Sequence, residues 1–331
     1  MERRLLRVAL VLVAVVTGSV YYTYHKTPGA LDPVGTLSIA ASKTLSPTLV
    51  WLAHDKGFFQ KAGLEVTLIP AATGKVAGES LLNGQADLAA ATEFLALRMV
   101  NTQADLRVLG TLAFVHQMKL IALKEKGIRS AVDLKGKKIG VRLGTNGEYF
   151  LERLLALNGL DQQAIQRVDL KPQEMAARLA QGEVDGVMIW PPLVQQIEGQ
   201  LGDRVVSFDG QPEQDYYYVL MGLESWLQKN PLKAERVMLA LTQAEAWFKA
   251  NPQEGVAYMA GLFALPPALL EKALADYHLA VTLPQSLLTM LEAEARWLSS
   301  VGLSRRMDNY LQIMSPGPLK KVAPSMVTIT P

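Results

Sequence analysis

Residues 36–93, TLSIAASKTLSPTLVWLAHDKGFFQKAGLEVTLIPAATGKVAGESLLNGQADLAAATE, alternate short apolar runs with amphipathic segments. The apolar runs at 37–40, 64–69 and 88–90 predict three β-strands, and residues 48–56 between the first two carry apolar side chains at helical spacing. Strands that alternate with helices in this way are typical of β-α-β units that build a parallel sheet. The stretch therefore predicts an α/β fold.

A polar turn follows each of these three strands. In open α/β sheets, ligands bind outside the carboxyl ends of the strands, where such turns lie together. We therefore expect a binding site that includes the residues of these turns, namely Ser42 and Thr44, Thr73 and Gly74, and Thr92 and Glu93.

The same alternation continues in a second part of the chain. A strand at 139–141 leads into the loop 143–147, which opens a helix, and a strand at 184–189 ends at Trp190. Two extended segments, 116–123 and 215–221, bracket this part. We interpret them as two crossings between lobes and expect them to pair as a two-stranded hinge, with a mainly helical chain beyond.

Composition excludes several classes of function. The net charge of +2 offers no electrostatic basis for nucleic-acid binding. The chain has no cysteine, which excludes disulfides, thiolate metal sites and cysteine nucleophiles. Its four histidines are scattered without metal-ligand spacing. We therefore predict neither a metal nor a cofactor.

The N-terminus has the features of an export segment. Arg3, Arg4 and Arg7 precede an uncharged apolar run at 8–16, as in a signal peptide. The run lacks a clear small-x-small cleavage site, and residues 5–24 have about the length of a membrane-spanning helix. A cleaved signal peptide and a retained membrane anchor both remain open. Both place the body of the protein outside the cytoplasm.

Five blocks carry a resemblance to a known family. The most informative are LVWLAHDKGFFQKAGLEVTLIP (49–70) and MAARLAQGEVDGVMIWPP (175–192), and the others lie at 81–93, 131–160 and 246–260. In this order they resemble the periplasmic solute-binding proteins of ABC importers, of the nitrate, sulfonate and taurine type, which are related to thiamine-precursor binders.

The resemblance implies a two-lobed periplasmic-binding-protein fold of type II, with two crossings at the hinge and a helical C-terminal portion. Residues 1–35 would be the signal peptide or anchor plus a linker, 36–120 with 222–331 the first lobe, and 121–221 the second. Such a protein captures a small solute between its lobes and delivers it to an ABC permease in the inner membrane. It catalyses no reaction.

The resemblance also extends the predicted site. In the family, loops after the strands of both lobes hold the ligand, and helix N-termini there attract anions through free N–H groups and the helix dipole. The residues that correspond in this chain, in addition to those of the three turns above, are Gly144, Thr145, Asn146, Trp190, Tyr216 and Tyr218.

Structural roles compete with these binding roles. Ser42, Thr44 and Thr145 are equally suited to cap helices. Trp190 could pack in a core. Glu93 could either bind an amine or interact with the positive end of a helix dipole.

One departure from the family pattern bears on the solute. Relatives often carry an acidic residue directly after the tryptophan, whereas Pro191 follows Trp190 here. A carboxylate that could bind an amino group is thus missing from this position. The sequence favours an anion without an amine, such as a sulfonate, nitrate or a carboxylate, or a more apolar or aromatic solute, over a taurine-like zwitterion.

Two other classes of protein are alternatives to a component of an importer. A membrane-tethered sensor or scavenger of the same fold would use a retained N-terminal helix. Enzymes that resemble this fold, such as thiamine-pyrimidine synthases and porphobilinogen-polymerising enzymes, depend on cysteines. The absence of cysteine argues against an enzyme.

Overall fold

Two β-sheets organise the chain in the computed structural model, which describes residues 29–212, 214–275, 277–300, 302 and 309–330. The strands, numbered along the chain, are β1 (Gly35–Ser42), β2 (Leu64–Ala71), β3 (Leu88–Thr92), β4 (Leu106–Val115), β5 (Lys119–Leu123), β6 (Lys138–Val141), β7 (Gln166–Asp169), β8 (Gly186–Ile189), β9 (Val205–Asp209), β10 (Tyr216–Leu223) and β11 (Tyr277–Leu279). One sheet has the order β11-β4-β10-β3-β1-β2 and the other the order β7-β6-β8-β5-β9.

Helices cover both sheets. Those in the described residues are α1 (Thr48–Asp55), α2 (Phe58–Lys61), α3 (Gly74–Leu82), α4 (Glu93–Val100), α5 (Asn146–Leu157), α6 (Pro172–Ala180), α7 (Leu193–Leu201), α8 (Glu224–Lys229), α9 (Pro231–Ala250), α10 (Pro252–Phe263), α11 (Pro267–Leu274), α12 (Gln285–Ser300) and α13 (Gly317–Val322). None of these helices is long and apolar enough to span a membrane.

The predicted parallel strands are present in both sheets. Strand β1 pairs in parallel with β2 and β3, and β6 pairs in parallel with β7 and β8. All five residues of β3 are buried, as expected for a short apolar strand that helices cover on both faces. The α/β fold with one lobe around each sheet is therefore confirmed.

The predicted pairing of the two crossing segments is wrong. Strand β10 lies between β3 and β4 in the six-stranded sheet, whereas β5 pairs with β8 and β9 in the other sheet. Seven of the eight residues of β10 are buried, and a central position in a covered sheet buries both of its faces. The chain passes between the sheets in short segments instead, at 116–118 and between β9 and β10, where residues 210–212 and 214–215 are described.

Gln211 joins these two segments. Its buried side-chain oxygen accepts hydrogen bonds from the N–H groups of Gln117 and Met118, each at 3.1 Å, and its amide nitrogen donates to the carbonyl of Val115. The division into lobes at 36–120, 121–221 and 222–331 stays a proposal. The sheet to which each strand belongs favours two crossings as proposed, with the lobe boundaries shifted by a few residues.

The C-terminal portion is mainly helical, as predicted, but it also contributes a strand. The chain leaves α11 after Leu274 and forms β11, which pairs with the edge of β4. Near the C-terminus, α13 packs on the core through its fully buried Leu319. The predicted signal peptide or membrane anchor lies outside the described residues.

Candidate ligand-binding site

A cavity of about 350 Å³ lies at the carboxyl ends of the parallel strands and is lined by residues of both lobes. Ten of the twelve predicted binding residues line it, whereas Glu93 and Gly144 do not. The ten residues are Ser42, Thr44, Thr73, Gly74, Thr92, Thr145, Asn146, Trp190, Tyr216 and Tyr218.

A hydroxyl network forms the side of the cavity after β1. The Ser42 hydroxyl lies 3.0 Å from the Tyr218 hydroxyl and 2.9 Å from that of Thr44. The indole N–H of Trp51 donates to the Ser42 carbonyl at 2.9 Å and holds this turn in place. Burial raises the pKa of Tyr218 above its ordinary value, so the phenol stays neutral and can donate a hydrogen bond.

Gly74 allows the start of α3 to approach this network. A Cβ atom at this position would lie 2.7 Å from the Tyr218 hydroxyl oxygen and 3.2 Å from the Cα atom of Ala91, so any other residue would displace the Tyr218 hydroxyl. Thr73 caps the helix by accepting a hydrogen bond from the N–H of Val76 at 3.3 Å. The first two residues of α3, Gly74 and Lys75, border the cavity, and their N–H groups precede the first hydrogen bond within the helix.

Five helices begin at the cavity. Residues at or next to the N-termini of α3, α4, α5, α6 and α7 all contribute to its lining. Each helix N-terminus carries a partial positive charge, and the first N–H groups of a helix have no intrahelical acceptor. Some of these donors are already engaged, since the N–H of Leu95 donates to the Thr92 hydroxyl at 3.4 Å and that of Leu193 to the Trp190 carbonyl at 3.2 Å. The converging N-termini therefore make the cavity favourable for a negatively charged group.

Asn146 is the predicted residue of the second lobe that is best placed to bind a ligand. It is buried, it lines the cavity, and its side chain forms no hydrogen bond within the described part of the chain. The Thr145 hydroxyl is already engaged, because it donates to the carbonyl of Arg142 at 2.7 Å and accepts from the N–H of Gly147 at 3.3 Å. Thr145 is thus a helix cap that also borders the cavity.

Gly144 lies outside the cavity lining. Its N–H donates to a carboxylate oxygen of Glu148 at 2.7 Å, so a side chain of α5 occupies the donor that we had assigned to a ligand. Its positive φ of 75° suits glycine, and a Cβ atom there would lie 2.5 Å from the guanidinium of Arg98. Gly144 therefore allows the backbone of this loop to adopt its conformation.

Glu93 also lies outside the cavity lining. Its carboxyl is completely buried next to that of Glu294 and forms no hydrogen bond of standard geometry. Burial raises the pKa of Glu93 to about 8, although nearby N–H groups, chiefly that of Tyr217, oppose this shift. A neutral, enclosed carboxyl is poorly suited to bind the amine of a solute.

Sequence reasoning missed a large part of the lining. Pro172 and Gln173 follow β7, so the rule that located the other turns could have found them. No local signal marks the side chains of the α10–α11 turn, which come from a distant part of the chain. The residues missed are Lys43, Ser46, Ala72, Lys75, Leu95, Pro172, Gln173, Pro192, Leu193, Gln196, Leu262, Phe263 and Leu265.

Comparison with protein families and curated proteins gives consistent matches. The model of the family described as NMT1/THI5 like matches residues 46–255. A Brucella abortus (strain 2308) protein, provisionally named as a binding protein, is 24% identical over 66% of this chain and 69% of its own length. An Escherichia coli (strain K12) protein, provisionally named as an aliphatic sulfonates-binding protein, is 26% identical over 57% of this chain and 59% of its own length.

Solved structures show the same fold. The alkanesulfonate-binding protein SsuA from Xanthomonas axonopodis pv. citri, bound to MOPS, superimposes with a TM-score of 0.74 and 21% identity, and it covers 87% of this chain and 100% of its own. The desulfurization enzyme DSZB superimposes with a TM-score of 0.65 and 15% identity, covering 88% of this chain and 99% of its own. At these identities the superpositions establish the fold alone.

Proposed function

The chain belongs to the NMT1/THI5-like family, and we propose that it is an extracytoplasmic solute-binding protein that captures a small anionic solute between its lobes. By the family resemblance, it acts in the periplasm and delivers the solute to an ABC permease in the inner membrane. The solute-binding role agrees with the names of the relatives. The solute and the permease are the parts that we add as proposals.

The charge of the cavity lining is the main support for the proposal that the solute is an anion. Lys43 and Lys75 line the cavity, and the described lining residues include no aspartate or glutamate. Neither lysine forms an ion pair within the described residues, although Lys43 lies 5.4 Å above the Trp51 ring. Two cations and five helix N-termini thus border the cavity, and no carboxylate of the described lining balances their positive charge. A bound anion would balance it.

The remaining lining narrows the class of anion. Trp190, Leu193 and Phe263 belong to an apolar part of the cavity wall that nitrate, having no apolar atoms, would leave unused. A taurine-like zwitterion would leave its ammonium group without a carboxylate partner, which costs free energy in a partly buried site. We therefore propose a sulfonate or carboxylate with an apolar substituent, and the named relatives favour the sulfonate.

Thermal unfolding against a solute panel tests this proposal. The panel contains alkyl- and arylsulfonates, the matching carboxylates, nitrate, taurine and neutral alcohols of equal size. A solute present at one hundred times its Kd should stabilise the folded protein by about 2.7 kcal/mol. We expect stabilisation by sulfonates and little effect of the matched alcohols. Stabilisation by the alcohols and not by any anion would contradict the anion proposal.

A further inference from the structure

The turn between α10 and α11 supplies an apolar wall of the cavity from a part of the chain that belongs to neither set of strand-end loops. Leu262, Phe263 and Leu265 line the cavity there and are all half-buried. From the second lobe, Trp190 and Leu193 contribute further apolar surface. The cavity thus has an apolar part that is separate from its hydroxyl groups and helix N-termini.

Core packing accounts for these side chains only in part. Leu262, Phe263 and Leu265 pack against the core of the lobe, but each is only half-buried and also lines the cavity. Part of their apolar surface therefore remains available to a solute. Exposed apolar groups of this kind commonly mark a binding surface.

The backbone of this turn is held in an unusual conformation. Ala264 has a φ of 52°, and among the described residues it is the only non-glycine residue with a positive φ. Its N–H and that of Leu265 both donate to the carbonyl of Ala260, which closes the end of α10. A left-handed alanine is disfavoured, and such positions are often found at ligand-binding sites. Alanine also restricts the backbone of this turn more than glycine would.

We propose that the α10–α11 turn determines which apolar substituent the protein accepts on its anionic solute, with Phe263 as the principal specificity-determining residue. This inference rests on the proposed function. A cavity of about 350 Å³ holds roughly a dozen non-hydrogen atoms. After an anionic head group is placed at the helix N-termini, room remains for an apolar substituent of about six to eight carbons.

Calorimetric titration of the full chain with linear alkanesulfonates, from ethanesulfonate to decanesulfonate, measures which length of apolar substituent the cavity accepts. Affinity for the wild-type protein should rise about fourfold per methylene and then fall once the chain reaches the turn. In Phe263→Ala the optimum should move to longer chains, while the Kd of ethanesulfonate changes less than about twofold. Leu265→Phe should move the optimum to shorter chains.

Phe58→Ala is the matched control, because Phe58 is a half-buried phenylalanine on α2 that does not line the cavity. It should lower the melting temperature and leave the chain-length optimum unchanged. An equal loss of affinity for every chain length in Phe263→Ala, or an unchanged optimum in both cavity variants, would overturn the inference while leaving sulfonate binding intact. If neither the alkanesulfonates nor the matching carboxylates bind the wild-type protein, the proposed function is wrong, and the inference falls with it.

Discussion

At the scale of single residues, Glu93 shows how a plausible ligand contact can be a buried acid instead. Its carboxyl and that of Glu294 are both completely buried, and the neighbouring Glu93 adds to the effect of burial in raising the pKa of Glu294. Burial also raises the pKa of Tyr149 to about 12, with the nearby Glu294 as the next cause. These groups lie where α4 and α12 meet α5, since the rings of Phe94, Tyr149 and Trp297 are in contact.

Glu93→Gln should change how stability depends on pH. The pKa of Glu93 is about 8 in the folded protein, against 4.5 for an unperturbed glutamate. The folded state therefore keeps a proton that the unfolded state has lost, and the free energy of unfolding falls between pH 5 and pH 8 by up to about 1.4 kcal/mol per pH unit. Glutamine has no such proton to lose, so the variant should be more stable than wild type at pH 8, and the difference should shrink toward pH 5.

Chemical denaturation at several pH values measures this effect, with Glu65→Gln on the exposed side of β2 as the control. The control should follow the wild-type curve. The variant should retain part of the pH dependence, because burial also raises the pKa of Glu294. Parallel curves for Glu93→Gln and wild type would show that Glu93 is ionised in the folded protein.

At the scale of secondary-structure elements, a substitution at the N-terminus of α5 should affect solute binding much more than folding stability. Asn146 is the first residue of this helix and borders the cavity. Asn146→Asp should change the stability of the unliganded protein by less than about 1 kcal/mol, because an acid in the first turn complements the helix dipole while burial of its charge opposes that gain. The same charge should weaken anion binding by about 2–4 kcal/mol, or roughly thirty- to a thousandfold in Kd, through repulsion.

Asn158→Asp, at the other end of α5, is the matched control. Its negative charge lies at the negative end of the helix dipole, and the change removes a donor to the carbonyl of Leu154. This variant should lower the melting temperature without changing the Kd. Comparing melting temperature and titration for both variants tests the assignment. Unchanged affinity in Asn146→Asp would remove the start of α5 from the anion site.

The elements also show which parts of the site a sequence can reveal. Ser42 and Thr92 are the last residues of β1 and β3, and Thr73 lies two residues after β2, so the local pattern that predicts a strand also places these residues at the carboxyl edge of the sheet. For Gly144, the sequence did not indicate that the Glu148 side chain accepts a hydrogen bond from its N–H, because strand order does not determine this contact. Phe263 had no local signal at all, since its place depends on how a distant hairpin packs.

At the scale of the whole molecule, the two short crossings set how the lobes can move. Buried Gln211 ties the segment between β9 and β10 to residues 116–118, and His116 lies 3.1 Å from the Asp215 carboxylate. The lobes also touch away from the cavity, where the Trp297 indole N–H donates to Glu152 at 3.0 Å. A hinge of few residues permits rotation of the lobes, and a solute that contacts both lobes selects the closed arrangement.

The absence of cysteine makes this motion directly measurable. Spin labels on Val132→Cys in the second lobe and Leu232→Cys in the first would report the distance between lobes, because both side chains are largely exposed, at 54% and 47%. A saturating sulfonate should narrow the distance distribution to one population. The Asn146→Asp version of the labelled protein should need roughly thirty- to a thousandfold more solute to reach it, in line with its expected loss of affinity. A distribution that does not change, with binding verified by titration on the same sample, would mean that the solute enters a preformed cavity between fixed lobes.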